Sequence, residues 1–264
     1  MAYCSLGAFG PAPLIHAVVA NAQLHIGCAV LLHVSLGARA GNQTLQRANV
    51  TLNPTSLPYR RHGPNVLAAH LSNLRLIPRH TAGDAIIVLL PGQGVFTRDC
   101  RPHLARHVMS FPSAVAYQPR ASADYGWFKQ LFDHLERRGG DGALAAAPLA
   151  VMPHEGSFFP WAVLRHVLPL TESVALLRAC PYFICTLEEL VLPSLILQHV
   201  PAVYHVAHAP GEAGFGDPLV ERVFNWSMSA ARFLAYPTRR CGRKLVHDDG
   251  ERVALEALRA ISPL

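Results

Sequence analysis

The chain has 264 residues, 51% of them hydrophobic and 15% charged, a composition that builds a packed core and excludes a disordered protein. Its net charge of +6 is scattered, densest at Arg60-Arg61, Arg137-Arg138 and Arg239 to Lys244. A nucleic-acid footprint would gather that charge on one face, so no nucleic-acid partner is expected, and the pattern suits local anion sites such as a nucleotide diphosphate or an acidic membrane surface.

In chain order, AYCSLGA (2–8) reads as a first strand ended by Gly10-Pro11. PLIHAVVANAQLH (13–25) has helical spacing, and CAVLLHVS (28–35), bounded by Gly27 and Gly37, reads as a buried strand. Strand, helix, strand within about 35 residues is one βαβ unit of a parallel sheet. ANVTLN (48–53) predicts a short strand, NVLAAHLSNLRLI (65–77) an amphipathic helix and DAIIVLL (84–90) a further buried parallel strand. That strand delivers PGQGVFTRD (91–99) at its carboxyl end, where ligands of open α/β sheets bind. Residues 1–110 therefore read as a nucleotide-binding half, and 111–264 as the remainder of one domain. Within the latter, 123–138 predicts a helix, with Trp127, Phe128 and Phe132 as core, and 202–207 a strand. The segment 222–235 is apolar and ambiguous, and a basic knot with Asp248-Asp249 leads into a last helix.

Six cysteines (Cys4, Cys28, Cys100, Cys180, Cys185, Cys241) show no CxxC and no regular spacing, and several lie in apolar runs. They read as buried free thiols in a reducing compartment rather than a disulfide framework. The histidines form no HExxH or Cys/His ligand cluster; His103 and His107, four apart without a third ligand, read as surface histidines, and no metal site is expected. No apolar run reaches membrane-spanning length and the N-terminus lacks a signal pattern, so a cytoplasmic protein is expected, with peripheral contact at the inner face of the cell membrane as the extension of that reading.

The stretch His154 to Leu195 concentrates the chemistry. Its start, HEGSFFPWAVLRHVLPL, reads as a turn at Gly156 and Ser157 followed by an apolar helix or strand. Its end places Glu188 and Glu189 ahead of a segment too apolar for a surface helix. Two readings stand: acidic residues favoured by the dipole of a first helical turn, or a carboxylate held at the edge of a core as a general base, its pKa raised by partial burial.

The ordered pieces resemble the core-2/I-branching β-1,6-N-acetylglucosaminyltransferase and xylosyltransferase family in its short bacterial form. AYCSLGA and LLHVS stand where that family has its first two strands, NVTLNPTSLPYRRHGPNVLAAHLSNLR (49–75) is similar to its strand–loop–helix segment, and DAIIVLLPGQGVFTRD (84–99) to its strand-plus-SGQD loop. GSFFPWAVLRHVL (156–168), LEELVLPSLIL (187–197) and Arg243-Lys244-Leu245 resemble its later elements. The resemblance implies a single GT-A-like domain, Rossmann-like with a mainly parallel sheet and flanking helices, in which 1–110 binds the nucleotide-sugar and 111–264 the acceptor.

It further implies an inverting, metal-independent transfer of N-acetylglucosamine or xylose from a UDP-sugar to a hydroxyl of a glycan or other acceptor, in polysaccharide biosynthesis. Glu189 takes the place of the catalytic base, with Glu188 as cap or supporting partner. Donor and substrate contacts fall to Ser35, Arg61, Gly63, Gly92, Gln93, Gly156, Ser157, Glu188, Arg240, Arg243 and Lys244, the cations neutralising the diphosphate in place of a metal. For Arg243 and Lys244 a solvated charge run, or pairing with Asp248 and Asp249, is the other reading. The family's carboxylates after the second strand and in the SGQD loop are Ser35 and Gly94 here, and the tryptophan of its RWGG motif is His62. Those departures favour a second reading, a degenerate transferase fold that binds a nucleotide-sugar or glycan.

Overall fold

The first strand (β1), Ala2–Ala8, is buried along almost its whole length, and its successive side chains go to opposite faces of a sheet that is covered on both. The computed structural model describes residues 1–35, 48–55, 65–110, 137, 139–144, 149–150, 152–174, 187–200, 215–224, 228–246 and 249–261. The expected helix 123–138 (save Arg137), the strand 202–207, Arg60, Arg61, Gly63, Cys180, Cys185 and Asp248 lie outside the described residues.

After β1 come helix α1 (Ala12–Ile26), β2 (Ala29–Val34), β3 (Val50–Leu52), α2 (Asn65–Leu74) and β4 (Ile86–Leu90). Pro13 sits in the first turn of α1, where a missing N–H costs nothing, and Gly27 ends the helix at φ 72°, donating its N–H to the Gln23 carbonyl. Then follow β5 (Val95–Phe96), α3 (Arg101–Arg106), β6 (Met109–Ser110), β7 (Phe158–Pro160), α4 (Trp161–Val167), a 3-10 turn (Pro169–Ser173) and α5 (Leu187–His199). The chain ends through β8 (Phe215–Gly216), β9 (Val220–Val223), α6 (Ala230–Ala235), β10 (Gly242–Leu245) and α7 (Gly250–Ile261).

The central sheet has the order β3-β2-β1-β4-β7. Strand β1 runs parallel to β2 (Cys4↔Val30) and to β4 (Cys4↔Val88), while β7 closes the edge antiparallel to β4 (Val88↔Phe158). The result is a mixed α/β single domain with a mainly parallel sheet and flanking helices, as the sequence predicts. One face joins Tyr3, Leu31, Ile87, Leu89 and Phe159 to α2, α4 and α5. The other joins Cys4, Leu6, Val30, Val88 and Phe158 to α1 and α7. Helix α5 is buried from Leu187 through Ile196 on every side, so its low amphipathicity reflects a core position. Its internal Pro193 is followed by Ser194, whose hydroxyl donates to the Ala150 carbonyl and accepts from the Ala150 N–H.

A second, small sheet, β5-β10-β9, stands beyond the carboxyl end of β4. Asn21 of α1 anchors it through a reciprocal pair of bonds with the Phe96 backbone, 2.9 and 2.7 Å. Among the described residues no helix is long and apolar enough to cross a membrane.

The expectation of free thiols is corrected. Pairing of β1 with β2 puts Cys4 and Cys28 5.7 Å apart at Cα, and packing of the chain after β5 against the start of β10 puts Cys100 and Cys241 5.5 Å apart; both pairs are disulfides. Their separations of 24 and 141 residues arise from strand order, so no spacing motif announces them, and the thiol argument for a reducing compartment falls with the correction. Non-reducing peptide mapping should recover both bridges. Replacing Cys100 and Cys241 by Ser should lower unfolding free energy by about 3–5 kcal/mol in urea titrations, given the long loop the bridge closes.

Candidate functional site

The site is assembled where β4 ends. The Gly156 N–H donates to the Leu89 carbonyl at 2.7 Å and the Leu89 N–H to the Ser157 carbonyl at 2.8 Å, so residues 154–157 run beside the carboxyl end of β4. On the other side the Leu219 N–H bonds the Gly156 carbonyl at 2.8 Å and brings β9 against the same turn. Gly156 is required there: its φ is 75°, and a Cβ would meet the Val220 nitrogen at 2.6 Å. The backbone of β9 makes a close approach that the glycine permits. Helix α5 enters from the third side, its Glu189 carbonyl accepting the Met152 N–H at 2.9 Å, which sets the first turn of the helix over His154 and Glu155.

Strands β9 and β10 are parallel and in register, with Lys244 opposite Arg222 and Arg243 opposite Glu221. Successive residues of a strand point to opposite faces, so Lys244 and Arg222 project together and Arg243 projects away. Lys244 Nζ donates to Glu155 Oε1 at 2.8 Å, and Arg222 donates to Glu155 Oε2, its Nε at 3.0 Å. The same guanidinium contacts Glu189 Oε1. His154 Nδ1 completes the cluster at 3.5 Å from Glu155, 3.8 Å from Glu188 and 3.8 Å from Glu189. Glu155, Glu188 and Glu189 are all buried, at 2%, 8% and 6% exposure.

The charges follow from these contacts. Burial alone would raise the Glu155 carboxyl, but His154, Lys244 and Arg222 beside it reverse that and hold it well below the usual carboxylate range. His154 is pushed down to about 4 by burial, against the pull of the Glu155 charge, and is neutral at physiological pH. Glu188 is pushed up to about 7, chiefly by burial and also by the charge of Glu155, although its own backbone N–H pulls the other way. Behind His154, with ring centroids 6.0 Å apart, lies His70, lowered to about 3 by burial and by neighbouring histidines. His70 Nδ1 and Ser5 Oγ share a hydrogen bond of 2.9 Å, and Asn73 donates to Ser5 and to the Leu6 and Leu31 carbonyls. This polar seam ties α2 to the sheet beneath the carboxylates.

Of the residues nominated from sequence, Glu188, Glu189 and Lys244 converge here. Arg243 does not: its guanidinium donates to the carbonyls of Phe233, Leu234 and Tyr236, each at 2.7 Å, and so caps the end of α6. Ser157 is fully buried and its hydroxyl donates to the Pro153 carbonyl. Gln93 donates to the Leu245 carbonyl at 3.0 Å, and Arg240 to the Val220 carbonyl at 2.9 Å with Asp217 alongside. In the structure Arg243, Ser157, Gln93 and Arg240 each donate to a backbone carbonyl of the fold itself. Gly92 packs against the end of β1, where a Cβ would sit 3.4 Å from the Gly7 carbonyl, and Ser35 is buried at the end of β2, its N–H donating to Ala8. His103 is more than a surface residue, since its ring packs edge-on against Phe158 and bonds the Asp217 carbonyl.

Sequence reasoning missed His154, Glu155 and Arg222. The available signal was the pair of titratable residues in HEG immediately ahead of an apolar strand. Ligand-type atoms of His154, Glu155 and Glu189 lie within 4.8 Å of one another. Arg222 and Lys244 already balance these carboxylates, so the grouping reads as an ion-pair cluster. No protein-family model matches the chain, and no curated protein matches it.

A carboxyl whose pKa is higher in the folded state binds more protons folded than unfolded, so stability falls as pH rises from its ordinary value to the raised one. For Glu188 that window runs from 4.5 to about 7. Glu188→Gln should therefore abolish a pH-dependent loss of roughly 3 kcal/mol, measured by chemical unfolding at pH 5 and pH 8 and flatter in the variant than in the parent.

Proposed function

We propose that this protein is an inverting glycosyltransferase of GT-A-like fold that moves N-acetylglucosamine or xylose from a UDP-sugar to a hydroxyl of a glycan or other acceptor. The observation that carries the reading is the buried carboxylate cluster at the carboxyl end of a parallel strand, faced by two cations in register on β9 and β10. Carboxyl ends of parallel strands are where open α/β sheets bind nucleotides. The order of family-like segments read from sequence adds to this support.

In this mechanism the acceptor oxygen attacks the anomeric carbon as Glu189 takes its proton, and the bond to UDP breaks with its electron pair leaving on the diphosphate. Lys244 and Arg222 supply the positive charge that the departing diphosphate needs; Arg222 takes the part that sequence reasoning gave to Arg243 and Arg240. Because side chains furnish that charge, the reaction runs without a divalent metal.

A second reading, a transferase fold that binds a nucleotide-sugar or glycan without turnover, draws on Ser35 and Gly94 in place of carboxylates and on the engagement of both cations by Glu155. Release of UDP from a UDP-sugar with no acceptor present separates the two, since only a transferase hydrolyses it.

Glu189→Gln should abolish transfer while UDP still raises the melting temperature, and EDTA should leave the wild-type rate unchanged. Lys244→Ala should weaken UDP binding about tenfold or more by titration calorimetry. Full turnover in Glu189→Gln, or strict dependence on a metal, would sink the mechanism.

A further inference from the structure

We infer that Glu188 is a positioning residue whose ionisation sets the proton affinity of Glu189 and so gates turnover; the inference rests on the transferase reading of this site. Three geometric facts carry it. Arg222 joins Glu155 to Glu189 and Lys244 adds a second cation to Glu155. Glu188, adjacent in sequence and comparably buried, makes no ion pair with a lysine or arginine among the described residues. Its Oε2 is buried with no hydrogen-bond partner among the described residues, as is His154 Nδ1, which stands 3.8 Å from both Glu188 Oε1 and Glu189 Oε1. Two buried carboxylates of one helical turn thus share an imidazole nitrogen, and among the described residues only Glu189 contacts a lysine or arginine.

A carboxylate gripped by a guanidinium is a weak base, because the pair favours the charged form. A second negative charge close by reverses this by raising the proton affinity of its neighbour. Ionised Glu188 is that charge. The groups facing it are Glu189 on its own helix, His154 and Glu155 from the segment before β7, Arg222 from β9 and Lys244 from β10, with His70 of α2 behind His154. Burial keeps both histidines neutral, and Glu155 stays ionised between its cations. Glu188 is the member that changes charge near neutrality, at about 7. Below that pH it holds its proton and adds no negative charge to offset Arg222 at Glu189; above it, Glu189 is a competent base.

The test is kcat for UDP-sugar turnover against pH in wild type, Glu188→Gln, Glu188→Asp and Glu189→Gln, with UDP affinity measured alongside. Wild-type kcat should rise with pH through a limb near 7. Glu188→Gln should lower kcat about tenfold to a hundredfold at pH 8, keep UDP affinity and lose the limb. Glu188→Asp, which retains the charge, should retain the limb, and Glu189→Gln should be inactive throughout. A limb unchanged in Glu188→Gln, or a wild-type kcat in that variant at pH 8, overturns the inference and leaves the transferase reading standing. Loss of the limb in Glu188→Asp overturns it likewise, and carries the test if the amide variant does not fold. A wild type that releases no UDP at any pH overturns the transferase reading and the inference with it.

Discussion

A carboxylate that is 2% exposed stays ionised in a protein core only if cations are buried with it, and Glu155 has two. Breaking such a pair leaves an uncompensated charge, which is far more costly than never having built it. Much of the second half of the chain satisfies that constraint. Strands β9 and β10 pair in the one register that places Arg222 beside Lys244, and Gly156 lets β9 approach closely enough for both to reach. The disulfide from Cys100 and the clasp of Arg243 on the end of α6 fasten the same strand pair from its other side.

The cluster is supported from below as well. Ser5, His70 and Asn73 sit among apolar neighbours at the centre of the sheet, and their mutual bonds leave α2 little freedom to shift. Polar groups in a core are tolerated where their partners are fixed, and networks of this kind favour one arrangement over its near neighbours. In that low dielectric Glu188 is pushed up to about 7, chiefly by burial, while Glu189 on the same helical turn contacts the Arg222 guanidinium.

How far the sequence could be read follows the same division. In the first 110 residues β1 to β4, α1 and α2 were legible because β1, β2 and β4 are covered on both faces and largely apolar, whereas β5, α3 and β6 are too short to carry a pattern. Glu188 and Glu189 stood out because two acids open an otherwise apolar helix. The partners did not stand out. Arg222 lies 67 residues from Glu155 and Lys244 lies 89 residues from it, so their meeting depends on strand register rather than on any local pattern. The same blindness hid both disulfides, and it gave Arg243 and Lys244 one role although they occupy opposite faces of β10.

Those long separations bear on how the chain comes off the ribosome. When His154 to Leu195 has emerged, the three acids can already gather, but the cations that make their burial tolerable have yet to be synthesised. Closing contacts of such span is slow, and until β9 and β10 dock, the nascent carboxylate cluster has reason to remain open to water. The last quarter of the polypeptide thus acts as the keystone of the fold, and a protein cut short before Lys244 would leave Glu155 without one of its two cations.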